Sequence, residues 1–395
     1  LASNGGALTV QTGSLVNDAG RIHHAGQNGL TLQTGSLQGQ KGSIATAGTL
    51  TLRADAIDHR DATLSAGQLD IVAAALDNRG GTVVSTGTQA NTVRVDGTLD
   101  NGDDGTLASN GDLQITAATF GNAGGTVQQA GTGTLSITAA TLNGHGGTLV
   151  SNGALALSGD TTDLRNGTTS AQQIRIDTGD LTTAGGNLVA TGTGPLALNV
   201  RNRLDNTGGT LASNGTVDLR AATLINNQGT LQAAGAGSNQ LQLGQALENR
   251  GGRILATGAT VIGAASVDNR GGTLQTGGAL TIGVDGRLDN SGQGVIASGG
   301  DAHLTAATLD NQTGSIEHAG EGTLAIEATD LRGAGGRIVG NGALQLKGDT
   351  LDLSGATTGA RQVTVTAGSL DTSKGTLTST GTQAMTLQVD RALTN

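Results

Sequence analysis

Six histidines are the side chains of this 395-residue chain best suited to metal binding or proton transfer. The chain has no cysteine, so a metal site would need imidazole together with carboxylates. The one adjacent pair lies in a stretch of alternating polarity, where neighbouring side chains point to opposite faces. We therefore expect solvated surface histidines and no metal site. The six are His23, His24, His59, His145, His303 and His318.

An acidic turn is the second candidate, because carboxylates clustered on a flexible loop are typical of calcium sites. Asp103 and Asp104 lie in such a loop, within residues 101–105. The counterpart of this loop in a duplicated part of the chain, residues 290–294, has no carboxylate. The preferred interpretation is therefore a plain acidic turn.

Polysaccharide cleavage would require carboxylates and a base gathered on one face. Sugar sites usually add aromatic stacking platforms, whereas Phe120 is the only aromatic residue and stands at an apolar repeat position, where we expect it in the core. Several arginines follow a recurrent asparagine and are predicted to form a solvated charge ladder with aspartates rather than a ligand groove. These residues are Arg79, Arg250 and Arg270, with Asp77 and Asp268.

Glycine-rich stretches and Asn-x-Thr triplets complete the list of candidates. None of the 69 glycines belongs to a phosphate-binding loop or a dinucleotide-binding motif. The triplets at Asn166, Asn214 and Asn311 resemble glycan acceptors, but the turn repeat described below generates them by itself. The sequence therefore predicts no catalytic, cofactor-binding or metal-binding residue, and we expect a protein that is not an enzyme.

The composition restricts the fold that could position any of these residues. Aromatic residues round to 0% and apolar residues reach only 35%, which excludes a thick isotropic core and favours a thin, one-dimensional one. The formal net charge of -10 makes nucleic acid a poor partner. Apolar runs such as residues 71–76 are too short to cross a bilayer, so we expect no transmembrane segment.

A short repeat dominates the sequence and predicts the fold. Nineteen units open with an apolar residue, sixteen of them leucine, with a mean spacing of 21 residues and individual lengths of 17 to 23. The openings are at positions 15, 37, 57, 76, 99, 120, 142, 164, 181, 204, 224, 247, 267, 288, 309, 331, 353, 370 and 393.

Each unit reads as short strands separated by Gly and Asn turns. In the unit that opens at Leu99, the segments are residues 106–109, 112–116 and 117–120. Hairpins and propeller blades are alternatives, but three strands in 21 residues with identical residues at one place per unit favour stacked parallel coils.

The third residue of the unit is asparagine in twelve of the nineteen openings. Asparagine tolerates left-handed backbone, and its amide can bond to the same amide one coil away, so we expect a ladder of corner residues. The twelve are Asn17, Asn78, Asn101, Asn122, Asn166, Asn206, Asn226, Asn249, Asn269, Asn290, Asn311 and Asn395.

A longer repeat is superimposed on the short one. Residues 99–206 align without a gap to residues 288–395, an offset of 189 residues or nine units, with about half of the positions identical. Block duplication is the simplest explanation. Both ends of the chain fall inside a unit, so we expect residues 1–395 to be one continuous β-helix that is an excerpt of a longer rod.

These units resemble the haemagglutinin repeats of filamentous haemagglutinins and of contact-dependent growth inhibition effectors. The resemblance rests on L-D-N-R-G-G-T at residues 76–82, L-A-S-N-G at residues 107–111 and 211–215, and L-x-A-A-T-L at residues 219–224. It covers nearly the whole chain. It implies a right-handed, single-stranded parallel β-helix of about nineteen coils, exported through an outer-membrane two-partner-secretion transporter.

The resemblance implies a structural stalk of a secreted, cell-surface exoprotein. Such a stalk holds an adhesive or toxin-bearing tip toward a neighbouring or host cell, whose receptor binds regions outside this segment. Nineteen coils at about 4.8 Å each would span roughly 90 Å. The alternative is a β-helical polysaccharide-active enzyme or glycan-binding module, which a cluster of Asp, Glu and Arg on one exposed face would support.

Overall fold

The computed structural model describes residues 1–395 and consists of β-strands joined by turns, without a helix. The strand pairs are parallel, and each strand pairs with its equivalents one coil before and one coil after, as Leu113 does with Asn91 and Leu135. The prediction of an all-β parallel solenoid of about nineteen coils is thereby confirmed. The chain forms two compact units, residues 1–192 and residues 193–395, which are described in turn.

Unit 1 contains nineteen strands. In chain order, β1 to β19 are Ala2–Ser3, Leu8–Val16, Arg21–His24, Leu30–Gln38, Ser43–Thr46, Thr49–Asp58, Thr63–Ala66, Gln68–Asp77, Thr82–Ser85, Asn91–Asp100, Thr106–Ser109, Leu113–Gly121, Thr126–Gln129, Thr134–Asn143, Thr148–Ser158, Thr161–Asp163, Thr168–Thr178, Asp180–Thr182 and Asn187–Ala190.

Unit 2 contains the remaining strands. In chain order, β20 to β41 are Leu196–Val200, Arg203–Asp205, Thr210–Ser213, Val217–Ile225, Thr230–Ala233, Asn239–Glu248, Arg253–Ala256, Thr260–Ala264, Ser266–Asp268, Thr273–Thr276, Leu280–Val284, Arg287–Asp289, Val295–Ser298, Ala302–Asp310, Ser315–His318, Thr323–Arg332, Arg337–Gly340, Ala343–Asp352, Thr357–Ala360, Gln362–Asp371, Thr376–Ser379 and Thr386–Thr394.

A typical coil consists of a four-residue strand and a longer, bent strand. The predicted segment at residues 106–109 is strand β11. The predicted segments at residues 112–116 and 117–120 form a single strand, Leu113–Gly121, because the chain bends there without losing its pairing to the next coil. In other coils the bend interrupts the ladder, as between Val95 and Thr98. The bend is where the small residues of the repeat lie.

The core consists of stacked apolar columns, because parallel pairing in register places each inward side chain on its equivalent one coil away. Leu99, Phe120 and Leu142 form one such stack and are at most 3% exposed. Phe120 is completely buried, as predicted. Burial of a leucine or phenylalanine to this degree contributes about 2 kcal/mol. Each added coil therefore contributes a similar stabilising free energy through its buried apolar side chains.

Two of the predicted unit openings are wrong. Thr162 pairs with Leu142 and with Leu181, so Thr162 opens that coil, whereas Leu164 lies at the third position, where other coils carry asparagine. In the duplicated block, Leu351 opens the coil and Leu353 takes the third position. Positions one and three both point inward, so alternation by itself does not distinguish them. In this register the coils within each unit are 19 to 23 residues long.

In unit 2, the third-position asparagines form a continuous ladder of hydrogen bonds. Each side-chain Nδ2 donates to the Oδ1 of the next asparagine at 2.7 Å. Nδ2 also lies within hydrogen-bonding distance of two backbone carbonyl oxygens; for Asn249 these belong to Gly252 and Thr273. Every ladder residue is fully buried. The members are Asn206, Asn226, Asn249, Asn269, Asn290 and Asn311.

Unit 1 has a shorter ladder of the same kind, in which Asn78 donates to Asn101 and Asn101 donates to Asn122. The ladder stops after Asn122 because the next third position is Gly144, which has no side chain. Asn166 is not a ladder residue. It lies two positions beyond Leu164, at a corner where its φ of 55° matches the φ of 67° at Gly124.

We predict that Asn249→Ala destabilises unit 2 far more than Asn341→Ala. The first change removes two hydrogen bonds of the ladder and leaves buried polar groups without partners, which should lower the free energy of unfolding by about 3 kcal/mol. The second removes a single exposed bond, from Asn341 Nδ2 to the Ala319 carbonyl, and should cost less than about 1 kcal/mol. Urea unfolding followed by circular dichroism measures both changes. Equal midpoints would contradict a stabilising ladder.

Candidate functional site

A charged ridge runs beside the asparagine corner of unit 1. The Arg79 guanidinium lies 2.7 Å from the Asp77 carboxylate of its own coil and 3.6 Å from Asp100 of the next. Arg60 makes the same two contacts with Asp58 and Asp77. These side chains are partly exposed to solvent, which screens the pairs, so each pair contributes little to stability. The ridge links successive coils through alternating charges.

The equivalent ridge of unit 2 brings together Asp268, Arg250 and Arg270, as predicted. Arg250 Nε and Arg270 Nη2 donate to the same Asp268 oxygen at 2.6 and 2.7 Å. Arg287, which the sequence reasoning missed, lies 2.9 Å from Asp289 and 2.7 Å from Asp310. It precedes the corner asparagine instead of following it, so the repeat motif gave no signal for it.

In the ridge, the arginine side chains stabilise the ionised form of the neighbouring carboxylates. Burial acts to raise the pKa of Asp268, but the hydrogen bonds from Arg270 and Arg250 outweigh burial and lower the pKa to about 2. At Asp58, the hydrogen bond from Arg60 is the main cause that holds the pKa well below its usual range. Carboxylates of this kind stay ionised at neutral pH and are unsuited to act as a general acid.

The acidic turn lies at the surface of unit 1. Asp103 and Asp104 are exposed and both have left-handed backbone, with φ of 49° and 66°. No group of three or more His, Asp or Glu side chains is placed to hold a metal ion. The interpretation of this loop as a plain acidic turn stays a prediction.

The prediction of surface histidines is wrong for three of the six. His24, His59 and His318 are at most 3% exposed, whereas His145 and His303 are exposed and His23 is half-buried. His23 and His24 do point to opposite faces of strand β3. Burial follows from the position of each histidine within its coil. The sequence shows this position only when the alignment of each coil with its neighbours is known.

His59 occupies a third position and continues the unit 1 ladder in place of asparagine. Its Nδ1 lies 2.7 Å from Asn78 Oδ1, which requires Nδ1 to carry the proton. Burial lowers the pKa of His59, and the hydrogen bond to Asn78 acts in the opposite direction. His59 is therefore a structural residue that replaces one rung of the ladder.

His318 lies at the inner end of strand β34, in a column of small residues, and neither of its ring nitrogens completes a hydrogen bond. Burial lowers the pKa of His318, while the Asp301 carboxylate and the Gly300 backbone oppose this shift. The equivalent residue of the other block, Gln129, accepts a bond from Ser151 at 2.7 Å. Next to His318 the same column holds Gly340, which offers no hydroxyl.

A shallow groove follows the bend of the long strand across five coils of unit 2. Its floor is formed by small and apolar side chains, because the bend brings the chain inward at those positions. Arg201, Arg220 and Asp285 also line this open groove and are its titratable side chains. The floor residues are Val200, Ala221, Leu243, Ala264 and Val284.

The other predicted positions do not converge on a site. Asn311 is fully buried in the ladder, whereas Asn166 and Asn214 are exposed. The prediction that the chain has no catalytic, cofactor-binding or metal-binding residue stays a prediction. No helix of the structure could serve as a membrane span.

Comparison with known families gives one match. The haemagglutinin repeat profile matches seven overlapping segments that together extend over nearly the whole chain: residues 5–93, 88–141, 130–193, 191–240, 234–292, 278–348 and 319–388. No curated protein and no solved structure shows significant similarity to the chain.

We predict that His318→Gln reduces the loss of stability on acidification. The folded pKa of His318 lies below its ordinary value, so below about pH 6.5 the unfolded chain takes up a proton that the folded chain does not, and stability falls. Glutamine, the residue at the equivalent position 129, removes this contribution. Unfolding midpoints in urea, measured between neutral and mildly acidic pH, report the slope.

The matched control is His303→Gln, because His303 is exposed and its equivalent in the other block is also glutamine, Gln114. This variant should keep the slope of the unchanged protein. A slope that is the same in both variants would show that burial of His318 does not couple folding to pH.

Proposed function

The chain belongs to the haemagglutinin repeat family, and from this we propose that it is a structural stalk segment of a secreted, cell-surface filamentous haemagglutinin-like exoprotein. The stalk holds an adhesive or toxin-bearing tip toward a neighbouring or host cell. Its export uses an outer-membrane two-partner-secretion transporter. The receptor on the target cell binds regions of the exoprotein outside this segment.

The observation that carries the proposal is the repetition of the same kinds of interaction in successive coils. In unit 2, the apolar columns and the asparagine ladder connect each coil to the next, and the ladder runs through six consecutive coils. A structure of this kind lengthens by one interstrand spacing, about 4.8 Å, for each coil added. The property that serves a stalk is this length.

The polar surface supports the same conclusion. The arginines of the ridge are engaged with carboxylates of their own and adjacent coils, as Arg270 is with Asp268 and Asp289. Such pairs stiffen the junction between coils. Folding that proceeds coil by coil also suits export of an unfolded chain, because each completed coil presents unpaired strand edges on which the next coil can form.

An in-register deletion tests the stalk directly. Removal of residues 224–308, four coils of unit 2, joins Thr223 to Leu309, which restores the sequence step from Thr308 to Leu309 and places Asn206 opposite Asn311. We expect the shortened chain to fold and its maximum dimension in small-angle X-ray scattering to fall by about 19 Å. A compact particle, or an unchanged dimension, would contradict the stalk.

The control deletes residues 224–307, so that one extra residue precedes Leu309. A one-residue slip turns every inward side chain of a strand to the outer face. We expect this variant to lose β-structure near the junction by circular dichroism and hydrogen exchange. If it folded as well as the in-register variant, the register of the columns would not govern the length of the solenoid.

The kind of tip is decided by the parent reading frame. A variable carboxy-terminal domain followed by a small immunity-type reading frame would assign the stalk to toxin delivery between bacteria. Further repeats or a processed prodomain would assign it to an adhesin. Sequencing the gene on both sides of the segment distinguishes the two.

A further inference from the structure

Five Asn-Gly pairs occupy the same exposed place in their coils; four of them directly follow a short strand, and the pair at Asn152 lies within the continuous strand Thr148–Ser158. In each pair the asparagine is exposed. The side chains of Asn110, Asn152 and Asn341 donate to a carbonyl of the preceding coil at 2.8 to 2.9 Å. The five asparagines are Asn4, Asn110, Asn152, Asn214 and Asn341.

Asparagine followed by glycine is the pair most prone to spontaneous deamidation. The backbone nitrogen of the glycine loses its proton to water and attacks the asparagine Cγ, so that a C–N bond forms and ammonia leaves. Water then opens the resulting succinimide ring by breaking one of its two C–N bonds. The product is aspartate or isoaspartate, and the net reaction consumes one water and releases one ammonia.

Four of the five corners restrain the attacking nitrogen. The serine before the asparagine accepts a hydrogen bond from the backbone N–H of the glycine, as Ser109 does from Gly111 and Ser151 from Gly153, both at 3.1 Å. The same bond forms at Ser3 and Ser213. It holds the proton on the nitrogen and directs the nitrogen toward the hydroxyl instead of toward Cγ.

The fifth corner has no such restraint. Gly340 lies at the position that is serine in the other four corners, so Gly342 has no hydroxyl to which its N–H can donate. Asn110 is the matched site, since both asparagines lie between two strands and donate to a carbonyl of the preceding coil, and Gly342 and Gly111 are both packed against such a carbonyl. Glycine at position 340 also leaves the backbone freer than serine does.

We propose that Asn341 is a site of spontaneous deamidation in the folded protein, because Gly340 removes the serine restraint that protects Asn110 and Asn152. The product replaces an amide donor with a carboxylate. The new oxygen faces the Ala319 carbonyl, and this contact between two acceptors weakens the junction between the coils. This corner should therefore deamidate before the four corners that carry the serine.

The test follows deamidation of the intact chain in mildly alkaline buffer at physiological temperature. Trypsin releases Asn341 in residues 338–347 but leaves Asn110 and Asn152 together in residues 95–165, so fragmentation mass spectrometry with isoaspartate detection quantifies each site. A urea-unfolded sample aged in parallel gives the intrinsic rate of each sequence. The folded-to-unfolded rate ratio should be several-fold higher at Asn341 than at Asn110 and Asn152, and equal ratios would overturn the proposal.

Two reciprocal variants test the cause. In Gly340→Ser, the added Cβ would lie 3.5 Å from His318 Nδ1 and 3.9 Å from Ala360 Cβ, ordinary contact distances, and the ratio at Asn341 should fall to that of Asn152. In Ser151→Gly, the ratio at Asn152 should rise. Circular dichroism verifies that each variant is folded. Should a variant fail to fold, the comparison of sites within the unchanged chain decides by itself.

Discussion

The stacking of each coil on its own copy is the constraint on which the rest of the structure depends. Parallel pairing in register places like residues on like, so any side chain that suits one coil must also suit its neighbour. Leucine meets this requirement by packing, and asparagine meets it because its amide is both a donor and an acceptor. Asn249 can therefore accept from Asn226 and donate to Asn269 while remaining fully buried. A residue with only one of these capacities would end the ladder.

Departures from the repeat are tolerated where the adjacent coil supplies what is lost. His59 takes an asparagine position because one ring nitrogen can serve Asn78. Leu164 and Leu353 replace the polar rung by apolar packing and remain at most 3% exposed. His318 has no such compensation, since Gly340 on one side has no side chain and the Ser298 hydroxyl on the other side makes no bond to the ring. The same substitution of glycine for serine leaves both a buried imidazole without a partner and an exposed Asn-Gly pair without restraint.

The regular stacking of the coils also decides how the polar and charged side chains are partnered. The charged groups of the ridge pair with one another within and across coils, and the ladder satisfies the buried corner asparagines. What remains at the surface is a repeated pattern of threonine, serine and short polar residues, together with a groove whose floor is small and apolar. Such a molecule offers length and stiffness, the properties required of a stalk, and it gains both by repetition of a single coil.

The sequence by itself determined the class of fold, the mean period, the apolar columns and the corner asparagines, because stacked coils repeat their contacts at a fixed residue spacing. It did not determine the register at Leu164 and Leu353, since two inward positions separated by one residue are equivalent in an alternating pattern. Nor did it reveal the burial of His24, His59 and His318, or the role of Arg287, which contacts Asp289 of its own coil and Asp310 of the next. These features depend on which residues of different coils face each other, and the tertiary structure alone decides that.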